Sequence, residues 1–472
     1  MAVRCILTLA LWCSVAPARA SPRTDPTSGR AVFTGATMAH ATSIELDPAA
    51  LGLGQIDEVY AAITSVIDQL HIDLDPFDSG GLHAPGARVR DVEVAPGAML
   101  AFIYHLAGDR GTVGFAARTN PSETFPSNRS ALAYHTLGGG ERDWLASAGA
   151  SIRVTNELYF GASLSHQNTF LRLRYARDTG LTDPTAGCNG APCGLANPLA
   201  TESYDVNVRS PTLSTSNLRV NVGVVVQLAR DLWLGVAYHT PPESGVQTEL
   251  TGHVDVVRAP RDVPDGQPAQ ERGQSVVEVQ YPASLDAELR ARLPYQLDLH
   301  VAGSWEDLSR LSAYDVRIYQ SAFTADHIPE WTERPRGTHD AFAVWGGVEQ
   351  VDGGPPHVLY GGRLGLQSSS VTAARTSPLT IAPTSFTVDL GARRRFGSGI
   401  TIELSYGLSY FPTVHGGGQF NPQDSLDCIA SSYDYATPQC QAVRNGYAIA
   451  PAAGSYERLE HALHLGLRYE LP

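Results

Sequence analysis

Arg458–Leu471, RLEHALHLGLRYEL, puts Leu459, His461, Leu463, Leu465, Leu467, Tyr469 and Leu471 on one face of an extended chain. Arg458, Glu460, Ala462, His464, Gly466, Arg468 and Glu470 fall on the other, because successive strand side chains point to opposite sides. A soluble sandwich also alternates, but here the charges share a face with Gly and Ala while the opposite face is almost wholly apolar. Oil outside and water inside is the arrangement of a membrane barrel.

Working outward, Ile400–Tyr410 repeats the rhythm, with Ile400, Ile402, Leu404, Tyr406, Leu408 and Tyr410 against Thr401, Glu403, Ser405, Gly407 and Ser409. Tyr295–Glu306 does so again, setting Leu297, Leu299, Val301 and Trp305 opposite Gln296, Asp298, His300, Ser304 and Glu306. Read this way the chain holds about fourteen strands, at 57–75, 91–106, 111–119, 143–154, 157–177, 216–228, 231–256, 275–292, 295–320, 341–349, 357–368, 385–396, 399–411 and 456–471. An even count suits a bacterial barrel. Connections after even strands are short, at 107–110, 155–156, 229–230, 293–294, 350–356 and 397–398. Those after odd strands include the long runs 120–142, 178–215, 257–274, 321–340 and 412–455. Such alternation is what short periplasmic turns and long extracellular loops produce. The predicted fold class is therefore all-β, a transmembrane antiparallel barrel spanning 56–472.

Composition agrees. Among 472 residues 17% are charged and 43% hydrophobic, with 45 Gly and 3 Met. After the first 20 residues no run approaches the roughly 18 apolar residues that a spanning helix requires. The formal charge of −14 argues against nucleic acid as a partner, since such proteins set basic surface against phosphate.

Met1–Ala20 has a basic residue, an apolar core from Ile6 to Val15, and Ala18-Arg19-Ala20 as a cleavage signal, which reads as an export signal. Trp12 before Cys13 is too large for a lipid-anchor site. Cys188 with Cys193 and Cys428 with Cys440 then remain as two close pairs in long loops, a pattern that in an exported chain favours local disulfides over a metal. They would contribute roughly 2 and 3 kcal/mol on a loop-entropy model.

Residues 21–55 precede the strands, and Ser28–Gly54 is rich in small residues. A barrel of more than about ten strands leaves a lumen its own side chains do not fill, so this segment is expected to be a plug. It resembles the N-terminal hatch of the FadL family of outer-membrane channels for long-chain fatty acids and other hydrophobic compounds. The resemblance rests on Ser28, Gly29, Arg30, Ala31 and Gly35, then Ala41, Thr42 and Ser43, then Asp47, Pro48, Ala49, Ala50 and Leu51. Asp47 stands where the family usually has Asn. Gly114–Pro126 with Tyr134 and His135, Leu232–Pro242 and Pro282–Ser309 are similar to the family's third and mid-barrel strands. Pro472 replaces the terminal aromatic residue common in outer-membrane barrels. The resemblance implies a hatch that includes Phe33, Gly35, Asp47, Pro48 and Ala49, a ligand held beside it, and a lateral gate near Asn120 and Pro121, where substrate leaves through the wall into the bilayer. Pro121 itself removes a ladder donor.

By strand phase, Met99, Ala101 and Ile103 point inward opposite Leu100, Phe102 and Tyr104, as do Val225, Trp233 and Trp345. They either form a hydrophobic ligand pocket or pack against the plug. The chain lacks G-x-S-x-G, H-E-x-x-H and a phosphate-binding loop. Glu460, His461 and His464 do not make a metal site, because His461 and His464 point to opposite faces of a strand. The expectation is a monomeric, non-enzymatic channel in the outer membrane of a Gram-negative bacterium, with no cofactor and no metal. Its partners are a hydrophobic small molecule, most plausibly a long-chain fatty acid, and membrane lipid. A barrel enzyme acting on lipids and a polar or structural porin stand as alternatives.

Overall fold

The structure is a computed structural model that describes residues 26–471 apart from 28–29, 80–81, 85, 107–109, 121–122, 128–131, 133–134, 179–204, 243–246, 259–269, 320–329, 352–357, 398 and 417–451. The export signal, Pro121 and all four loop cysteines lie outside the described residues.

Fourteen wall strands follow in order. They are β1 Glu58–Leu74, β2 Ala87–His105, β3 Gly111–Thr119 with Glu123–Ser127, β4 Leu137–Arg153, β5 Leu158–Asp178, β6 Asp205–Ala229, and β7 Leu232–His239 with Thr248–Arg258. Then come β8 Gln270–Val279 with Ser284–Leu293, β9 Leu297–Glu306 with Ala313–Tyr319, β10 Trp331–Pro335 with Ala341–Gln350, β11 Val358–Gln367, β12 Ser385–Arg395, β13 Ile400–Gly416 and β14 Gly454–Glu470. Each is antiparallel to its neighbour in sequence. The sheet closes where β1 pairs with β14 over its whole length, Glu58 opposite Glu470 and Leu74 opposite Gly454.

Side-chain alternation sets which face each residue shows. In β13, Ile402, Leu404 and Tyr406 are 40%, 50% and 43% exposed, whereas Glu403 and Ser405 are 1% exposed. Leu463, Leu465 and Leu467 of β14 are exposed in the same way, and His464 is buried. The outer surface is thus an apolar band and the inner surface is polar, the reverse of a soluble domain. Short turns join the strands at the end that carries Asp57 and Leu471, whose backbones pair. The turn from β8 to β9 is made by Tyr295 and Gln296, both at positive φ (66° and 55°), the backbone of a tight hairpin.

The structure departs from the expected strands at the long-loop end. The spans read as continuous at 231–256, 275–292 and 295–320 are each broken in two, at 240–247, 280–283 and 307–312. The pieces stay in line, because Thr248–Arg258 and Leu232–His239 both pair with β6. Strands β2, β4 and β6 begin or end farther into that end than expected, at Ala87, Leu137 and Asp205.

Leu404→Arg sets a charge on the band near mid-height and is expected to lower stability in urea unfolding from phospholipid vesicles by about 2–4 kcal/mol. A loss below about 0.5 kcal/mol, the level of an ordinary surface change, would mean that this face does not meet hydrocarbon.

Candidate functional site: the lumen of the barrel

At the short-turn end the inward positions are charged, and the chain's own leading segment lies against them. Val32 N–H donates to Ser405 Oγ (3.1 Å), Ala36 N–H to Glu288 Oε2 (2.7 Å) and Ala41 N–H to Glu58 Oε1 (3.1 Å). Thr37 Oγ1 donates to Glu288 Oε1 (2.6 Å), and the Arg363 guanidinium donates to the carbonyls of Ala31 (3.0 Å) and Thr34. Arg30, held at φ 59°, donates to Ser409 (2.6 Å) and lies 3.8 Å from both Asp389 and Glu460. Strands from β1 round to β14 thus grip one short peptide. Removing backbone donors and inward carboxylates from water is costly unless each is paired, and here they pair with one another.

Further along, Ser43–Leu46 forms a short helix, α1, and Pro48–Leu53 a 3₁₀ turn. Asp47 caps that turn by accepting from Ala49 N–H (2.9 Å), and Pro48 fits its first position, where no N–H is needed. The wall beneath is glycine. A Cβ on Gly161 would come within 2.2 Å of Ala49 N, and one on Gly223 within 1.9 Å of Asp47 Oδ1. Gly161 and Gly223 face each other on β5 and β6, so the absence of side chains on adjacent strands makes a seat for backbone. Burial pushes the Asp47 carboxyl well above the usual range; the Ala49 N–H opposes this, and the carboxylates of Glu288 and Asp286 add to it. Asp47 Oδ2 has no hydrogen-bond partner among the described residues. A protonated Asp47 offers one acceptor and one donor, as the amide of Asn does.

The long-loop end is built the other way round. On the first piece of β7 the apolar residues Val236 and Tyr238 are exposed, but on the second Leu250, Val254 and Val256 are fully buried. Outward positions there carry Asp255 paired with Arg272 (2.7 Å) and Glu278 paired with Arg317 (2.9 Å). Inward lies a cluster that includes Phe125, Leu173, Val208, Val277, Tyr314 and Ile318. Two buried arginines border it. Arg334 sits over the Tyr175 ring (4.0 Å) and Arg336 donates to Tyr314 Oη. The sequence reading took 231–256 as one continuous strand and singled out no inward residue in its second half, so it missed this cluster. The signal was present as Leu250, Val254 and Val256 against Glu249, Thr251 and His253.

The inward residues singled out from the sequence land lower, among the leading segment. Met99 and Ile103 pack with Ala41, Ile44 and Leu51, and Val225 with Ala49 and Ala50. Trp345 is buried between His300 (centroids 6.4 Å apart) and Arg363 (4.6 Å), while Arg290 lies over Trp233 (4.4 Å). Phe33 is buried under Arg393 (4.7 Å), and Gly35 lies against Glu288, whose carboxylate would be 2.5 Å from an added Cβ. Of the two readings, Met99, Ile103 and Val225 show the packing against the leading segment, while Trp233 and Trp345 lie against Arg290, His300 and Arg363.

Asn120 ends the first piece of β3. Below it, β3 pairs with β2 from Thr112–His105 up to Thr119–Ala98. Above it, Glu123–Ser127 pairs with β4, and among the described residues no register joins it to the upper part of β2. β2 continues there to Ala87, with Pro96 in that stretch and Val92 and Val94 exposed. Among the described residues the pairing of β2 with β3 thus stops at Ala98 and Thr119, and Phe125 of the apolar cluster belongs to the piece beyond it.

No protein-family model matches the sequence, and no curated protein does. Solved structures do match. A Pseudomonas aeruginosa FadL homologue superimposes with a TM-score of 0.73 at 12% identity, over 96% of this chain and 100% of that one. The Pseudomonas putida toluene transporter TodX gives 0.60 at 12%, over 92% and 94%. The Ralstonia pickettii toluene transporter TbuX gives 0.59 at 16%, over 94% and 98%. The chain thus has, over nearly its whole length, the fourteen-stranded barrel fold of the FadL-type channels.

Proposed function

We propose that this protein is a FadL-family channel of the Gram-negative outer membrane that takes up hydrophobic small molecules by passive diffusion and does no chemistry on them. The observation that carries this reading is the reversal of lumen character along the barrel. An apolar interior lies at the long-loop end, and a polar interior is filled by residues 30–54 toward the short turns. An apolar solute gains about 25 cal/mol per Å² buried on leaving water, so it partitions into the upper lumen and finds no favourable way down through the charged lower half. The end of the β2–β3 pairing at Ala98 and Thr119 supports lateral release into the bilayer. Residues 21–55 act as the plug, and residues 1–20 as the export signal. Long-chain fatty acids are the substrate class that the resemblance to the FadL family favours. A water-filled porin has no use for this upper lumen, and a lipid-acting enzyme would need a nucleophile and base that no local arrangement supplies.

Uptake of labelled oleate and of toluene by cells with and without the gene tests the function: oleate uptake is expected to fall at least severalfold on deletion. Equal uptake of both compounds by the two strains would end the transport reading. Val254→Glu, which sets a carboxylate in the apolar cluster, should lower oleate uptake while leaving the barrel folded.

Deleting Ser28–Gly54 should raise conductance to small ions in planar bilayers, and Gly161→Val, which displaces the turn at Ala49, should do so partly. Unchanged conductance in both would count against the plug. The pH dependence follows from Asp47. Its proton is held more tightly when the segment is docked, so docking has its full strength below the ordinary carboxylate value of 3.8 and weakens as pH rises through the raised value. Leak conductance should therefore grow with pH in the native protein, and Asp47→Asn, which is neutral throughout, should flatten that profile.

A further inference from the structure

On β9 and β10, near the short turns, Asp298, His300 and Glu349 each present one ligand atom, and these atoms lie within 4.8 Å of one another. The three come from facing positions of neighbouring strands, Asp298 being directly opposite Glu349. All are at most 2% exposed. His300 Nδ1 lies 2.9 Å from Glu288 Oε1, so this nitrogen donates to the carboxylate, and in the neutral imidazole Nε2 then carries the lone pair. Nε2 faces Glu349 Oε1 at 3.7 Å, too long for a hydrogen bond. Among the described residues, neither Nε2 nor Glu349 Oε2 has a hydrogen-bond partner. Nε2 and Glu349 Oε1 are both buried and face each other without a hydrogen bond; with a neutral imidazole both are acceptors, a pairing that a cation between them satisfies.

We infer that Asp298, His300 and Glu349 form a binding site for one divalent transition-metal ion, with Zn²⁺ the best match to one imidazole and two carboxylates. Donors about 2.1 Å from a tetrahedral Zn²⁺ are about 3.4 Å apart, so Nε2 and Glu349 Oε1, 3.7 Å apart, draw slightly together, and Asp298, within 4.8 Å of both, closes in on the ion. Glu288 acts in the outer shell, fixing the His300 tautomer, as carboxylates do behind metal-bound histidines. Asp298 also accepts from Arg292, and Arg290 lies 3.9 Å away, so the ion shares this ligand with arginine. The fourth position is left for water. Glu288 also holds Ala36 N–H and Thr37 Oγ1, and the ion would thereby stiffen the grip on the leading segment. The site does not depend on what the channel carries.

The test uses the full chain in detergent, stripped with a chelator and equilibrated with ZnCl₂ at neutral pH, with bound zinc measured by mass spectrometry after dialysis. One Zn²⁺ per chain is expected. His300→Gln and Glu349→Gln should each weaken binding at least tenfold, and Glu288→Gln by about 10–100-fold, the usual range for an outer-shell carboxylate. His461→Gln, on the outer face and hydrogen-bonded to Tyr406 (2.7 Å), should change nothing. Substoichiometric zinc in the native protein, or binding unaltered by His300→Gln, overturns the proposal and leaves His300 as a protonated bridge between two carboxylates. X-ray absorption on the zinc-loaded native chain decides the matter without any variant that must fold. One imidazole with oxygen donors at about 2.0–2.2 Å supports the site, and sulfur at about 2.3 Å assigns the zinc to cysteines instead.

Discussion

Inside hydrocarbon a backbone N–H or C=O has only its own chain to bond to. In this protein that demand is met by joining the first wall strand to the last, Glu58–Leu74 to Gly454–Glu470, without a register shift. Once the sheet is a cylinder, every residue belongs to one of two faces, and the period of two assigns it. Leu, Val and Tyr take the side that meets lipid. Asp, Glu, Arg and His are forced together on the other, where β8 to β14 place many of them at one level.

That crowding explains why the leading segment lies where it does. Inward carboxylates such as Glu58 and Glu288 are nearly sealed from water, and a sealed charge is tolerable only with partners. The backbone N–H groups of Ala36 and Ala41, together with the hydroxyl of Thr37, supply them. In return Arg363 satisfies carbonyls of the segment, and Arg30 meets Asp389 and Glu460. The segment is small-residue rich because it must fit between walls, and the walls are glycine where it comes closest. Wall and segment are one polar structure, bounded above by an apolar one.

Much of this was legible in the sequence, for physical reasons that also mark its limits. The faces of β13 and β14 follow from alternation alone, since a membrane barrel tolerates few errors on its outer side. The strand count and the two ends follow from loop lengths. That Asp47 and Pro48 belong to the leading segment's hatch-like stretch came from resemblance, and only coordinates show the capped turn and place Gly161 and Gly223 beneath it. The upper apolar cluster was missed because β7 and β8 are interrupted there and their alternation exchanges faces across the break, whereas β9 keeps its phase. A strand assumed to continue carries the wrong phase past it. The trio of Asp298, His300 and Glu349 was invisible for another reason: it is assembled across strands about fifty residues apart, and no local spacing encodes such a neighbourhood.

The seam between β1 and β14 also fixes an order of assembly. Arg30 meets Ser409 across a sequence separation of 379 residues, and its acidic partner Glu460 belongs to the final strand. The leading segment therefore has no complete set of partners until the last strand is in place, and it is enclosed as the cylinder shuts. Contacts of such long range make for slow folding, and the leading segment and the closing strand reach their places together.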